Sequence, residues 1–300
     1  MDGVLRLRDG RELAWREDGD LQGVPVLRLQ GTPGSRMSGL AQEPMWRELG
    51  LRVIKADRPG YGRSTRLPGR GIAAVADDLV ELLDHLGLDR VPVVGASGGG
   101  PHVLALCALH PQRITVATVV VGAVPLEESD LEGMIDINVE AWRRAWAGDW
   151  DGVHALCVAL RDRTLPDPLA GFRKIMDTAP PEDQEIMNDP RWQQGLVTDV
   201  REALHQGAEG WADEGFAVSR SWDFQIEDVG IPVVWWHARD DANAPLAAAE
   251  RLTARMPTVD LRLWEHAGHL EAFRREREVL IELMDRAGDG DARAARRSNP

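Results

Sequence analysis

A serine enclosed by glycines is the first feature of the chain whose residue types could carry out chemistry. Ser97 lies in Gly95-Ala96-Ser97-Gly98-Gly99, directly after an apolar, strand-like run and directly before a helical pattern. A strand that ends in G-x-S-x-G and turns at once into a helix places the serine hydroxyl on a sharp turn, for which Gly95 and Gly99 leave room. The N-terminus of that helix would stabilise an oxyanion beside the serine. The pattern therefore predicts that Ser97 is a nucleophile.

A nucleophilic serine needs a base, and histidine is the side chain that takes and returns a proton near neutral pH. The chain has eight histidines. Five lie in helical patterns, and His237 ends a predicted strand. His269 follows Gly268 in a loop after the last predicted strand, at the same edge of the predicted sheet as Ser97. We predict that His269 is the base, with His266 of the same loop as the alternative.

The base in turn needs an acid to orient it. Asp241 follows a predicted strand, and the chain order Ser97, Asp241, His269 is the order of a serine–acid–histidine triad on a sheet of this kind. The neighbouring Asp240 is the rival. Both aspartates are also placed to cap the following helix. After the preceding strand, Glu127 and Asp130 are further alternatives.

An oxyanion formed at Ser97 would need two N–H donors. Gly98, the residue after the nucleophile, offers one backbone N–H. The second is expected from the loop after the third predicted strand, where residues 30–35 are rich in glycine and proline. Thr32 is the candidate donor, and Gly31 beside it supports the turn.

Strand and helix patterns alternate on both sides of a purely helical middle region. The predicted strands are residues 4–8, 12–16, 24–29, 51–56, 91–94, 114–121, 231–236 and 259–264. The predicted helices outside the middle region are residues 37–49, 72–86, 101–110, 245–255 and 269–284. The alternation predicts an α/β fold with a mostly parallel sheet of about eight strands, flanked by helices. Such sheets bind ligands at the carboxyl ends of their strands, where Ser97 lies.

The domain organisation follows from the same pattern. Residues 1–125 and 228–287 are predicted to form the α/β core. Residues 126–227, which contain no clear strand, are predicted to form a helical cap, or lid, inserted into it. Residues 288–300, rich in Gly, Ala, Arg and Ser, are predicted to be a disordered tail.

Composition excludes several classes of function. The chain is 43% hydrophobic and 28% charged, with a formal net charge of −14. Such an acidic surface repels nucleic-acid phosphates. No apolar run reaches the roughly 18 residues that span a bilayer, and no apolar signal region follows Met1, so we expect a cytoplasmic protein that binds neither nucleic acid nor membrane. Cys107 and Cys157 lie in apolar helical patterns without metal-ligand spacing, so we expect unpaired buried thiols.

Four separated segments resemble those of the α/β-hydrolase superfamily over about residues 1–286. They are Gln30-Gly31-Thr32-Pro33-Gly34, Asp57-Arg58-Pro59-Gly60-Tyr61-Gly62-Arg63-Ser64, Gly95-Ala96-Ser97-Gly98-Gly99-Gly100-Pro101, and His237-Ala238-Arg239-Asp240-Asp241 with Ala267-Gly268-His269. The resemblance favours Asp241 over Asp240, because Pro245 follows the family's acid by four residues. The chain departs from the family at Gln30, where a histidine is common, and at Ala238, where a glycine is usual. We interpret the segment 57–64 as structural.

The resemblance implies a serine hydrolase that cleaves a carboxylic ester or related acyl bond of a small molecule through an acyl-enzyme, without metal or organic cofactor. An alternative is an aminopeptidase, which would need a cap carboxylate such as Glu127, Asp136 or Glu140 to bind the substrate amine. A carbon–carbon bond hydrolase of the same fold is another alternative. A ligand-binding, receptor-like protein with low turnover is an alternative of a different class. Substrate and oligomeric state are not readable from the sequence.

Tryptophan is unusually abundant in the predicted cap. The chain has 11 tryptophans, and Trp142, Trp146 and Trp150 are spaced four apart, which predicts that they share one helix face. That face either packs the cap onto the core or lines an apolar substrate pocket. Trp142 and Trp146 are our candidates for the pocket lining.

Overall fold

An eight-stranded sheet forms the centre of the molecule. The computed structural model describes the backbone of residues 1–297 and the side chains of residues 1–288. The strands are β1 (Asp2–Arg6), β2 (Glu12–Gly19), β3 (Val24–Leu29), β4 (Leu51–Ala56), β5 (Val91–Ala96), β6 (Ile114–Val120), β7 (Val233–Ala238) and β8 (Val259–Trp264). Their order in the sheet is β1-β2-β4-β3-β5-β6-β7-β8. Only β1–β2 and β2–β4 pair antiparallel among these strands, so the predicted α/β fold is confirmed.

Helices cover both faces of the sheet. The helices outside the middle region are α1 (Glu43–Glu48), α2 (Ala73–His85), α3 (Gly100–Leu109), α10 (Leu246–Thr253), α11 (Glu271–Arg274) and α12 (Glu276–Arg297). Buried residues of α2, α3 and α10 pack on one face, and buried residues of α1 and α12 pack on the other. The central strand β5 shows the alternation that this requires, since Val93 belongs to the first cluster and Val94 to the second.

The middle region consists of helices in the part of the chain that the structure describes. Between β6 and β7 lie α4 (Asp136–Trp146), α5 (Trp150–Thr164), α6 (Pro168–Ile175), α7 (Pro181–Ile186), α8 (Pro190–Ala203) and α9 (Glu209–Ser219). They all fall inside residues 126–227, and we call them the cap. Three of these helices begin with proline at the first position, where its missing N–H costs no hydrogen bond.

Several predicted helices differ from the observed ones. The predicted helix 37–49 is only α1, and the predicted helix 269–284 is divided into α11 and α12. Trp150 does not continue the helix of Trp142 and Trp146, because Gly148, with a φ of 74°, ends α4 before Trp150 begins α5. The three tryptophans therefore do not share one helix face.

The sequence predicts a disordered tail from residue 288, whereas α12 continues to Arg297 in the structure. Alanine and arginine dominate this stretch, and both favour helix. Residues 298–300 lie outside the described part of the chain. Within residues 1–297, no helix combines the length and the apolar character that crossing a membrane requires.

Candidate active site

The turn between β5 and α3 carries Ser97. The serine has a φ of 53°, in the left-handed region that side chains rarely adopt. The turn is also tight: a Cβ atom on Gly99 would overlap the carbonyl group of Leu29 on the neighbouring strand. Glycine is therefore required two residues after the serine, as the sequence predicts. The free N–H groups at the start of α3 lie immediately behind the serine.

The structure brings Ser97, His269 and Asp241 into one hydrogen-bonded row. The Oγ of Ser97 lies 2.9 Å from Nε2 of His269, and Nδ1 of His269 lies 2.8 Å from Oδ2 of Asp241. Asp241 also accepts the backbone N–H groups of Asn243 and Ala244, both at 2.8 Å. A carboxylate can only accept, so the histidine proton sits on Nδ1, and the lone pair of Nε2 faces the serine hydroxyl.

The alternative candidates for the base and the acid lie outside this row. His266 and Asp240 are exposed, and neither contacts Ser97 or His269 through its side chain within the described hydrogen bonds. Asp130 instead accepts from Arg251 at 2.9 Å, and Glu127 forms an ion pair with the same arginine. The geometry therefore selects Asp241 and His269 among the candidates.

Nearby carboxylates make it easier for the neutral imidazole of His269 to take up a proton. Burial alone would lower the pKa of His269, but the charge and hydrogen bond of Asp241 and the charge of Asp183 outweigh it, so the pKa is raised. Burial alone would raise the pKa of Asp241, but the contacts with His269 and His237 and the Ala244 N–H hold it below its usual value. Asp241 is thus ionised near neutral pH, where it favours the imidazolium form of His269.

Thr32 and Gly98 lie together at the side of the row, and both line the same cavity as Ser97 and His269. A Cβ atom on Gly98 would overlap the Oγ1 of Thr32, so the two segments are in direct contact. A Cβ atom on Gly31 would come within 3.3 Å of the Ser97 Cβ. Within residues 1–297, the Thr32 N–H donates to no protein acceptor, so it is available to a ligand.

Support for this loop comes from two side chains. Nε2 of Gln30 donates to the carbonyl of Ala56 at 2.8 Å, so the amide that replaces the family's histidine anchors the loop. Arg58 donates to the carbonyls of Gln30, at 2.6 Å, and Gly31, at 2.8 Å. Sequence reasoning treated the segment of Arg58 as structural and missed this contact. Its position two residues after β4, at the edge where the site lies, is the signal that could have found it.

A cavity of about 250 Å³ opens above Ser97, between the core and the cap. Its walls are mostly apolar and include Leu156, Leu160 and Leu204 of the cap. Trp142 lines the cavity as predicted, whereas Trp146 is not among the lining residues and has an exposed fraction of 37%. Trp146 packs on Trp142 instead, with ring centroids 5.9 Å apart, because it lies one helical turn farther along α4.

Two carboxylates of the cap, which the sequence did not single out, lie at the site. Glu214 of α9 lines the cavity, whereas Glu127, Asp136 and Glu140 do not. Asp183 of α7 accepts the backbone N–H groups of the histidine loop. Both carboxylates lie inside helices, and no spacing or composition in the sequence distinguishes them from surface acids.

Among the described residues, no group of three or more His, Cys, Asp or Glu side chains is placed to hold a metal ion. Cys107 and Cys157 are free and buried, and burial raises the pKa of each thiol to about 12. Thiols in this state are not nucleophiles near neutral pH. Ser97 is thus the candidate nucleophile with a base in contact.

Known proteins share the fold of this chain. The chain is 28% identical over 273 residues to a non-heme haloperoxidase of Rhodococcus erythropolis, covering 87% of this chain and 90% of that one. It is 23% identical to a bifunctional esterase/perhydrolase of Acinetobacter calcoaceticus, covering 85% and 87%. A solved hydrolase of Pseudomonas aeruginosa superposes with a TM-score of 0.69 at 22% identity, covering 94% of this chain and 98% of that one. Residues 24–273 match the sequence profile of the alpha/beta hydrolase fold. The profile match covers most of the chain, and the sheet order and the turn at Ser97 fit the same fold. The chain therefore belongs to the α/β-hydrolase family.

Proposed function

We propose that the chain is a serine hydrolase that cleaves carboxylic esters of small, largely apolar molecules. The observation that carries the proposal is the row Ser97–His269–Asp241, with separations of 2.9 and 2.8 Å, at the base of an apolar cavity. Nucleophile, base and orienting acid are the three parts that acyl transfer needs.

Each residue has a defined step in this reaction. Ser97 Oγ attacks the ester carbonyl while Nε2 of His269 takes the hydroxyl proton. The carbonyl oxygen becomes an oxyanion, which the backbone N–H groups of Thr32 and Gly98 stabilise. Collapse of this intermediate breaks the bond to the alkoxy group, which leaves as an alcohol with the proton held on His269. A water molecule then attacks the acyl-enzyme by the same route and releases the carboxylic acid and Ser97.

Asp241 acts through the histidine. Its carboxylate keeps the proton of the neutral ring on Nδ1 and stabilises the imidazolium that forms during attack. The depressed pKa of Asp241 supports this role, because a protonated acid would do neither.

The cavity favours an ester over a peptide with a free amino group. Among the described residues that line the cavity, the carboxylate that could bind an amine is Glu214. It is already paired with Arg58 and Arg70. The charge of this carboxylate is thus already balanced within the protein, which disfavours its pairing with a substrate ammonium group. At about 250 Å³, the cavity also lies just below the range of about 300–1,000 Å³ that is common for drug-sized ligands. A short, uncharged acyl or alcohol group fits this space.

Labelling with a fluorophosphonate, together with hydrolysis of p-nitrophenyl esters of increasing acyl length, tests the proposal. We expect labelling and turnover in the wild type, and neither in Ser97→Ala. Ser219→Ala is the matched control, because Ser219 lines the same cavity without contacting His269. Equal labelling of the wild type and Ser97→Ala would contradict the proposal. Faster turnover of aminoacyl amides than of esters would favour the aminopeptidase alternative.

A further inference from the structure

We propose that Arg58 is a positioning residue that orients and polarises the Gly31–Thr32 peptide, and that Glu214 of the cap holds Arg58 in place. The inference rests on the proposed function, because it assigns the Thr32 N–H to the oxyanion. It gives the cap a direct part in the stabilisation of the transition state, in addition to covering the substrate.

One guanidinium nitrogen of Arg58 contacts both the Gly31–Thr32 peptide and the side chain of Thr32. Its Nη2 donates to the carbonyl oxygen of Gly31 at 2.8 Å and to the Oγ1 of Thr32 at 2.9 Å. The Gly31 carbonyl and the Thr32 N–H belong to the same peptide plane, so a bond at one end fixes the direction of the other. A cationic donor on the carbonyl also draws electron density from the N–H, which strengthens its own hydrogen bond to an acceptor.

Arg58 is held from the other side by Glu214. The Nε of Arg58 lies 3.0 Å from Oε1 of Glu214 in an ion pair, and neither side chain is more than 4% exposed. Glu214 also contacts Arg70, and its Oε1 lies 2.9 Å from Nε2 of His102. A buried carboxylate between two guanidinium groups stays ionised, and burial, which alone would raise the pKa of Glu214, is outweighed so that this pKa is lowered.

The cluster of Arg58, Arg70, Glu214 and His102 has an excess of positive charge. Two guanidinium groups face one carboxylate, and burial lowers the pKa of His102, so the imidazole is neutral near pH 7. The cluster, which contacts the Thr32 hydroxyl through Arg58 at 2.9 Å and through Glu214 at 3.4 Å, thus carries one net positive charge. In a site shielded from water, such a charge favours the developing oxyanion more than the neutral ester.

Helix α9 is seated directly on the loop that carries Arg58. A Cβ atom on Gly210 would overlap the backbone of Gly60, so the two backbones touch without side chains between them. This close approach places Glu214, one helical turn after Gly210, against Arg58. The seating of the cap therefore determines whether the arginine is held.

Three variants and one matched control test the inference. Arg58→Gln removes the charge, Arg58→Lys keeps the charge without the two-pronged contact, and Glu214→Gln removes the anchor while keeping its shape. Arg66→Gln is the control. Arg66 also joins a core loop to α9, through Asp213 at 2.7 Å, but it does not contact the loop of Thr32.

We expect Arg58→Gln to lower kcat by about 10²–10³-fold, the loss that follows removal of one oxyanion donor, with little change in KM. Binding of a trifluoromethyl ketone, which forms an oxyanion on Ser97, is expected to weaken by the same factor. Arg58→Lys is expected to recover part of kcat, and Glu214→Gln to lose less than Arg58→Gln. Arg66→Gln is expected to keep kcat within about threefold, because Arg66, whose partner Asp213 is buried, contacts neither Arg58 nor the loop of Thr32.

Unchanged ketone affinity in a folded Arg58→Gln enzyme would overturn the inference, as would an equal loss in Arg66→Gln. If Arg58→Gln does not fold, Glu214→Gln and Arg58→Lys decide by the same two readouts. Failure of the proposed function is distinguishable, because it is seen first in the wild type as absence of fluorophosphonate labelling at Ser97.

Discussion

Two buried aspartates contact His269, one from the core and one from the cap, and they act on different parts of the residue. Asp241 follows β7 and contacts the imidazole Nδ1 at 2.8 Å. Asp183 of α7 accepts the backbone N–H of His269 at 3.0 Å and that of Leu270 at 2.8 Å. The core aspartate thus sets the protonation of the ring, and the cap aspartate sets the position of the loop.

The electrostatics of the two aspartates differ accordingly. The pKa of Asp241 is lowered, because the contacts with His269 outweigh its burial. The pKa of Asp183 is raised, because burial dominates over its two N–H donors and the more distant charge of His269, and Asp241 opposes its ionisation. The same residue type is thus held ionised where it faces the imidazole of His269, and is harder to ionise where its direct donors are main-chain N–H groups.

The largest expected effect is that of Asp241→Asn. An amide at this position holds the wrong tautomer of the imidazole, so kcat for an ester is expected to fall by about 10⁴-fold. Steady-state kinetics measure it, and Asp240→Asn is the matched control, because Asp240 is the exposed neighbour. The control is expected to keep kcat within about twofold. A larger loss in Asp240→Asn than in Asp241→Asn would reassign the acid.

A smaller loss is expected from Gly268→Ala, which separates the cap aspartate from the loop. A Cβ atom on Gly268 would come within 2.5 Å of the Asp183 carboxyl, so the loop has to shift. A displacement of the base by about 1 Å costs about 10²-fold in rate, and we expect kcat/KM to fall by this order. A second change, Asp183→Ser, is expected to recover part of the loss. Absence of recovery would show that the clash is not with Asp183.

Asp183→Asn removes the charge and keeps the shape. One amide oxygen can still accept an N–H group, but the amide nitrogen then faces a second donor. The free energy of unfolding is expected to fall by about 1–3 kcal/mol, the cost of a buried unpaired donor. Urea denaturation measures it. An unchanged midpoint and slope would contradict the role of Asp183 in holding the loop.

The smallest expected effect is a shift in the pH profile of Asp183→Asn. His269 must be neutral to act as a base, so kcat/KM rises with pH through its pKa. The groups that face the imidazole are Asp241, Asp183, His237 and Ser97, and both carboxylates raise the pKa of His269. Loss of the Asp183 charge therefore moves the acid limb to lower pH. A limb that moves to higher pH, or stays, would mean that the charge of Asp183 does not reach the ring.

The same contrast between core and cap explains what could be predicted from the sequence. Ser97, Asp241 and His269 each follow a strand and stand beside turn residues, so the parallel sheet alone brings them to one edge. The sheet and the family were predicted in this way and are confirmed. The roles of the three residues remain proposals.

The cap residues could not be found in this way, because their positions depend on how six helices pack. Asp183 and Glu214 look like ordinary acids of amphipathic helices, and Arg58 like part of a turn. Trp146 was wrongly predicted to line the pocket. Its spacing from Trp142 correctly indicates a shared helix face, but the packing of α4 determines how much of that face lines the cavity.

The backbone contact between Gly60 and Gly210 has a consequence for protein engineering. Among the contacts that fasten the helical insert to the core, three lie beside the site: this glycine pair, the pair of Glu214 with Arg58, and the bonds of Asp183 to the histidine loop. A chimera that receives the insert of another relative would have to bring a small residue and two acids in matching places. Substrate range in this enzyme is therefore altered more safely by changing wall residues such as Leu156 than by exchanging the whole insert.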